Sequence, residues 1–290
     1  MAIYFENKFK AILYVIACII LWSFIPVVSR FGQRDLDNYQ FLFWSSLLSF
    51  AVLFLSVCLA GKLKHFKNYD RKDLAVVFGL GFLGSFLYYL LLYYGYAHMQ
   101  GIKVVVIQYT WPIFIVIFSF LFLRERITWR NILAIVLGFL GAFAVLTKGS
   151  FNLQLNNFMT DLVVLFAAAI FGLFSVLSKK ANLEPFSATA YFFLSATLFS
   201  FLAMLGFSYF AVPSKNSLIS IAVNGILING FSYILWLKGL SCAKASFIAP
   251  FVFLTPIMAT ILIIFFFHEI FLPIYVFGLL LVILAGLISR

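Results

Sequence analysis

A chain of 290 residues that is 65% hydrophobic and only 10% charged carries more apolar surface than one soluble core can hide, which excludes an ordinary globular enzyme or binding module. A net charge of +11 would point to nucleic acid in a soluble protein, but here the basic residues fall between long apolar runs, where loops and lipid headgroups account for them. The composition predicts a polytopic membrane protein with the lipid bilayer as its surroundings and no nucleic-acid partner.

Lys8 and Lys10 precede an apolar run that continues to about Ser29, too long for a signal-peptide core, so it is expected to be a retained first helix. A membrane-crossing helix needs ~20 apolar residues. Counted that way, the chain is all-α with ten transmembrane helices, at 11–30, 40–60, 74–97, 102–123, 130–147, 160–179, 187–211, 217–237, 244–267 and 272–289. With the N-terminus inside, fifteen Lys and Arg fall in inside segments against five outside, which predicts cytoplasmic N- and C-termini. Cys18, Cys58 and Cys242 lie in or at the end of apolar runs without metal-ligand spacing, and read as small core residues.

The sequence repeats itself at an offset of 144 residues. Gly81 meets Gly225, Tyr89 meets Tyr233, Gly95 meets Gly239, Pro112 meets Pro256 and Glu125 meets Glu269, within ten identities over 45 ungapped positions. The expected domains are a first repeat at 1–148 and a second at 149–290, each of five helices. An odd number of helices per repeat inserts the second upside down, and such inverted repeats are associated with secondary transporters whose substrate site lies between the halves.

Trp22-Ser23 in helix one, the Pro112…Arg124-Glu125-Arg126 ending of helix four, and the two duplicated halves resemble the drug/metabolite transporter superfamily, in its two-domain EamA family. Gln108-Tyr109-Thr110-Trp111-Pro112 is similar to the Asn-Tyr-Leu-Trp-Pro stretch of bacterial aromatic-amino-acid exporters. The resemblance implies a monomeric inner-membrane exporter of amino acids or related metabolites, with helices one, three, four, six, eight and nine around a central cavity.

The residues themselves mark candidate positions. Gln108, Tyr109, Trp111 and Pro112 sit midway along helix four, where hydrogen-bonding groups and a helix-breaking proline are costly in lipid. Pro112 and Pro256 read either as static kinks or as gating hinges. Tyr88 and Tyr89, deep in helix three, each offer a flat apolar face and a hydroxyl. Trp22 lies far from both ends of helix one. Asn229 and Tyr233 are one turn apart on one face of helix eight, either bridging helices or lining a wet cavity. Glu125 and Glu269 read as edge anchors or as gate ion pairs, and Lys103 and Lys238, at the ends of their helices, are both placed where they could snorkel.

The expected substrate-binding set is therefore Trp22, Tyr88, Tyr89, Gln108, Tyr109, Trp111, Asn229 and Tyr233, with Pro112, Pro256, Glu125 and Glu269 as hinge or gate. No catalytic motif, metal site or cofactor signature is legible, and the chain is not expected to be an enzyme. The leading expectation is export or exchange of a small amphiphilic metabolite, most plausibly an amino acid. Two alternatives stand beside it: a potential-driven uptake carrier for a nucleotide-like or other cationic metabolite, and a lipid-handling membrane protein.

Overall fold

In a lipid interior the backbone finds no water to bond, so apolar runs must close their hydrogen bonds as helices. The computed structural model describes residues 7–32, 35–99, 101–150, 158–268 and 270–289, and every regular element among them is helical. Among the described residues, nine helices are long and apolar enough to cross a membrane: Lys8–Val28, Asn38–Leu59, Arg71–Leu92, Lys103–Leu123, Trp129–Leu146, Phe158–Ala181, Pro185–Phe207, Lys215–Cys242 and Ala245–Phe266. They are numbered one to nine. Helix ten, Ile274–Ile288, has only 15 residues, or about 22 Å of rise against a ~30 Å hydrocarbon core. Helix seven ends at Phe207 and does not run on to residue 211.

Polar side chains fix where the helices begin. Asp37 and Thr128 form reciprocal capping boxes with Gln40 and Asn131, and Asp70, Glu184 and Ser214 cap helices three, seven and eight. Glu184 is also paired with Lys62 at 2.8 Å. Large apolar side chains such as Phe120, Leu121, Val136, Leu140, Phe265 and Leu284 face outward, the arrangement expected where the surrounding medium is lipid. Cys58, read from sequence as a core residue, is one of these exposed positions.

The packing pairs helices of one repeat with helices of the other. Helix one packs on eight and nine, and helix six packs on three and four; helix two packs on seven, and five on ten. Exchanging the repeats maps this pattern onto itself. Helices five and ten approach closely at Gly141 and Gly278, where a Cβ on either would lie 2.6 Å from the other's carbonyl oxygen.

Backbone irregularities recur at the same offset. Helix three contains a π-helical segment at Phe82–Leu87 and helix eight one at Val223–Phe231. Arg124 and His268, which end the long segments of helices four and nine, both take left-handed conformations with φ of 54°. A side chain rarely adopts that conformation unless something holds it there. Glu269, which follows His268, lies outside the described residues.

Candidate functional site

Three helices lose their regular hydrogen bonding at one level. Helix four is interrupted at Tyr109–Thr110, between Gly101–Gln108 and Trp111–Leu123. Pro112 has no N–H to give, so the carbonyl of Gln108 loses its usual donor and the chain turns there. Helix nine passes through a 3₁₀ segment, Ala249–Phe253, before Pro256. Helix one breaks at Phe24, where Ser23 Oγ donates to the Ile19 carbonyl at 2.7 Å and to the Thr255 carbonyl at 3.4 Å. The prolines thus stand at interruptions of the helix, beyond a simple bend.

Side chains from these breaks converge on a small chamber. Its wall is Trp22, Ile25, Tyr88, Tyr89, Gln108, Tyr109, Trp111, Phe171, Val252 and Thr255. Trp22 stands at its centre of packing, with ring centroids 5.9 Å from Trp111, 6.0 Å from Phe171 and 5.4 Å from Trp236. Gln108 Nε2 donates to Tyr88 Oη, and Tyr88 lies against Phe171 at 4.6 Å. Among the described residues no carboxylate, lysine, arginine or histidine lines the wall; its polar groups are amide, phenol or hydroxyl, and indole N–H. The free volume is about 30 Å³, whereas small-molecule sites run to roughly 300–1,000 Å³. In this conformation the rings are closed on one another and leave little room for a solute.

Six of the eight expected binding residues therefore meet around one chamber. Asn229 and Tyr233 do not join its wall. Both are buried behind it, and they form a brace with symmetric logic. Tyr89 Oη donates to Asn229 Oδ1 at 3.4 Å, and Tyr233 Oη donates to the Gly84 carbonyl at 3.1 Å. Each tyrosine of a repeat-related pair thus reaches across to the π-helical segment of the other repeat. Trp22 Nε1 extends the same net to Ser232 Oγ at 2.7 Å, and Trp236 Nε1 donates to Ser175 Oγ at 3.1 Å.

Val252 and Thr255, outside the expected binding set, also line the wall. They are the repeat mates of Gln108 and Trp111, so the offset that identified helix four also points at them. Ile25 carried no such signal.

The ionic expectations changed more. Lys103 does not snorkel: it is buried, and its Nζ lies 2.6 Å from Asp161 Oδ1, because the start of helix six brings a carboxylate against the start of helix four. Glu125 forms no ion pair with Arg124 or Arg126; its carboxylate accepts from the amides of Ala245 and Ser246 and from Ser246 Oγ. These contacts tie the end of helix four to the start of helix nine.

Known proteins extend these observations. Residues 9–147 and 158–289 each match the EamA-like transporter family. The chain is 27% identical over 264 residues to an uncharacterized transporter, YoaV, of Bacillus subtilis (strain 168), covering 86% of each protein. It is 25% identical over 272 residues to the S-adenosylmethionine uptake transporter of Rickettsia prowazekii (strain Madrid E), covering 91% of this chain and 86% of the relative. A solved crystal structure that is 18% identical superposes with a TM-score of 0.86 over 97% of both chains, which shows a shared fold.

Proposed function

The chain belongs to the EamA-like transporter family and is a multi-pass membrane transporter, and from that premise we propose that it moves a small amphiphilic metabolite by alternating access. The repeats, divided near residues 148 and 149, would lie inverted in the membrane, with helix ten as a short tenth crossing that thins the bilayer locally. Both termini would be cytoplasmic, in the inner or plasma membrane, as the Lys and Arg bias favours. The protein would work as a monomer, without cofactor or catalytic step.

The observation that carries this reading is the closed chamber at the crossing of the broken helices four and nine, one from each repeat. Discontinuous helices at mid-depth supply dipole ends to a solute. At Tyr109–Thr110 the first segment of helix four presents its carbonyl end and the second its amide end, which suits the ammonium and carboxylate of an amino acid. Trp22, Tyr88, Tyr89, Gln108, Tyr109 and Trp111 would contact the solute, with Asn229 and Tyr233 holding Tyr89 and Gly84 in place. Pro112 and Pro256 would act as hinges.

A second reading has its own support. Aromatic faces around a wall without ionised groups attract delocalised cations, and a relative is named an S-adenosylmethionine uptake transporter. Tryptophan fluorescence separates the two, since Trp22 and Trp111 are in the wall. Titration of purified protein with aromatic amino acids, S-adenosylmethionine and a quaternary ammonium should change emission for one class, and Trp111→Phe should reduce that change. No response to any solute, with flipping of a fluorescent lipid in vesicles, would sink both readings in favour of lipid handling.

A further inference from the structure

Helix four is fastened to the second repeat at both of its ends, by buried polar contacts that lie outside the chamber. At its start, Lys103 Nζ sits 2.6 Å and 2.8 Å from the two carboxylate oxygens of Asp161, in the first turn of helix six. At its far end, Glu125 accepts from Ala245 N at 2.9 Å, Ser246 N at 3.0 Å and Ser246 Oγ at 2.6 Å. Those two amides open helix nine and have no acceptor within it, so the carboxylate satisfies them and meets the positive pole of the helix. Glu125 is 8% exposed and has no ion-pair partner among the described residues.

The backbone is bent out of its way to make the second contact. Arg124 takes φ of 54° without being glycine, and the Glu125 amide folds back to the Ser119 carbonyl at 3.2 Å, which turns the carboxylate inward. Both contacts cross between repeats, and both are made while the chamber is closed to about 30 Å³.

We propose that helix four is a two-ended gate: Lys103–Asp161 latches one end of the solute path, Glu125 on the helix-nine amides latches the other, and each half-cycle releases one latch while the other holds. The proposal rests on the alternating-access reading above. The helix break at Tyr109–Thr110 lets the two ends move separately, and it places the chamber between the latches. Under the proposed orientation Glu125 faces the cytoplasm and Lys103 the outside. Loss of one latch must favour opening at its own end and, through the shared population, disfavour opening at the other.

A reporter cysteine in the chamber wall tests this. Val252→Cys, with Cys18, Cys58 and Cys242 replaced by serine, is reconstituted in vesicles and labelled with a membrane-impermeant maleimide from each face. Glu125→Gln should raise cytoplasmic labelling about tenfold and lower outside labelling; Asp161→Asn should do the reverse. Ser246→Ala removes only the hydroxyl bond and should shift labelling the same way as Glu125→Gln, by a smaller factor. Lys103→Gln with Asp161→Asn serves if the lone buried lysine prevents folding. Equal changes at both faces, or none, from variants that remain folded would overturn the gate and reduce these residues to packing. Labelling of the reporter from one face only, under every solute condition, would instead overturn alternating access itself.

Discussion

Tyr233→Phe asks whether the buried tyrosines hold the repeats together or read the solute. The substitution removes one hydroxyl from a side chain with no exposed surface and deletes the 3.1 Å bond to the Gly84 carbonyl. Such a bond is worth about 0.5–1.5 kcal/mol net, and leaving its buried partner unsatisfied raises the loss toward about 2 kcal/mol. At roughly 2–4 °C per kcal/mol for a chain of this size, thermal unfolding in detergent should fall by about 4–8 °C. Tyr89→Phe, which loses a 3.4 Å bond, should fall less. The two contacts close one net around the π-helical segments, so the double variant should depart from additivity by at least about 0.5 kcal/mol. Tyr233→Phe with unchanged unfolding but altered solute selectivity would refute the reasoning, since it would put that hydroxyl in the chamber.

Other perturbations have equally definite outcomes. Gln108→Ala should raise the apparent KM for transport with little effect on unfolding, because its amide meets the chamber and bonds Tyr88 there; radiolabelled flux measures it. Gly81→Ala should destabilise by about 1–3 kcal/mol, since its Cβ would lie 2.7 Å from the Phe192 backbone, whereas Gly79→Ala meets open space and should be near neutral; unfolding in detergent compares them. For Glu184, burial raises the carboxyl pKa, but the hydrogen bonds from Lys62 and Ser187 overcome it and hold the group below its ordinary value. Its contribution is therefore present above the unfolded value near ~4.3 and lost as pH falls through the folded one. With both partners partly exposed it amounts to at most about 1 kcal/mol, and Glu184→Gln should flatten the acid limb of a stability–pH profile by that amount.

Much of the fold was legible because lipid imposes one rule, that an apolar run of sufficient length must be a helix. The helix positions and the repeat follow from that rule and from Gly, Pro and Tyr recurring at a fixed offset. What the sequence hides is where the helices stop being regular. Nothing in Phe82–Leu87 or Val223–Phe231 announces a π-helical turn, because such turns depend on what packs against them. The same cause explains Asn229 and Tyr233. Helical periodicity puts them one turn apart, but which neighbour each meets is a property of the assembled repeats. Lys103 was misjudged because its partner, Asp161, is 58 residues away in sequence. Helix ten fell short because an apolar stretch begins before its helix does, at Pro273.

Counterflow in proteoliposomes tests the central claim most directly. Vesicles loaded with an unlabelled amino acid or with S-adenosylmethionine should accumulate the labelled solute of the accepted class, transiently and only with protein present. Trp111→Ala and Gln108→Ala, in the chamber wall, should suppress it while the protein stays folded. Accumulation unaffected by either substitution would place the solute path somewhere other than between the two repeats.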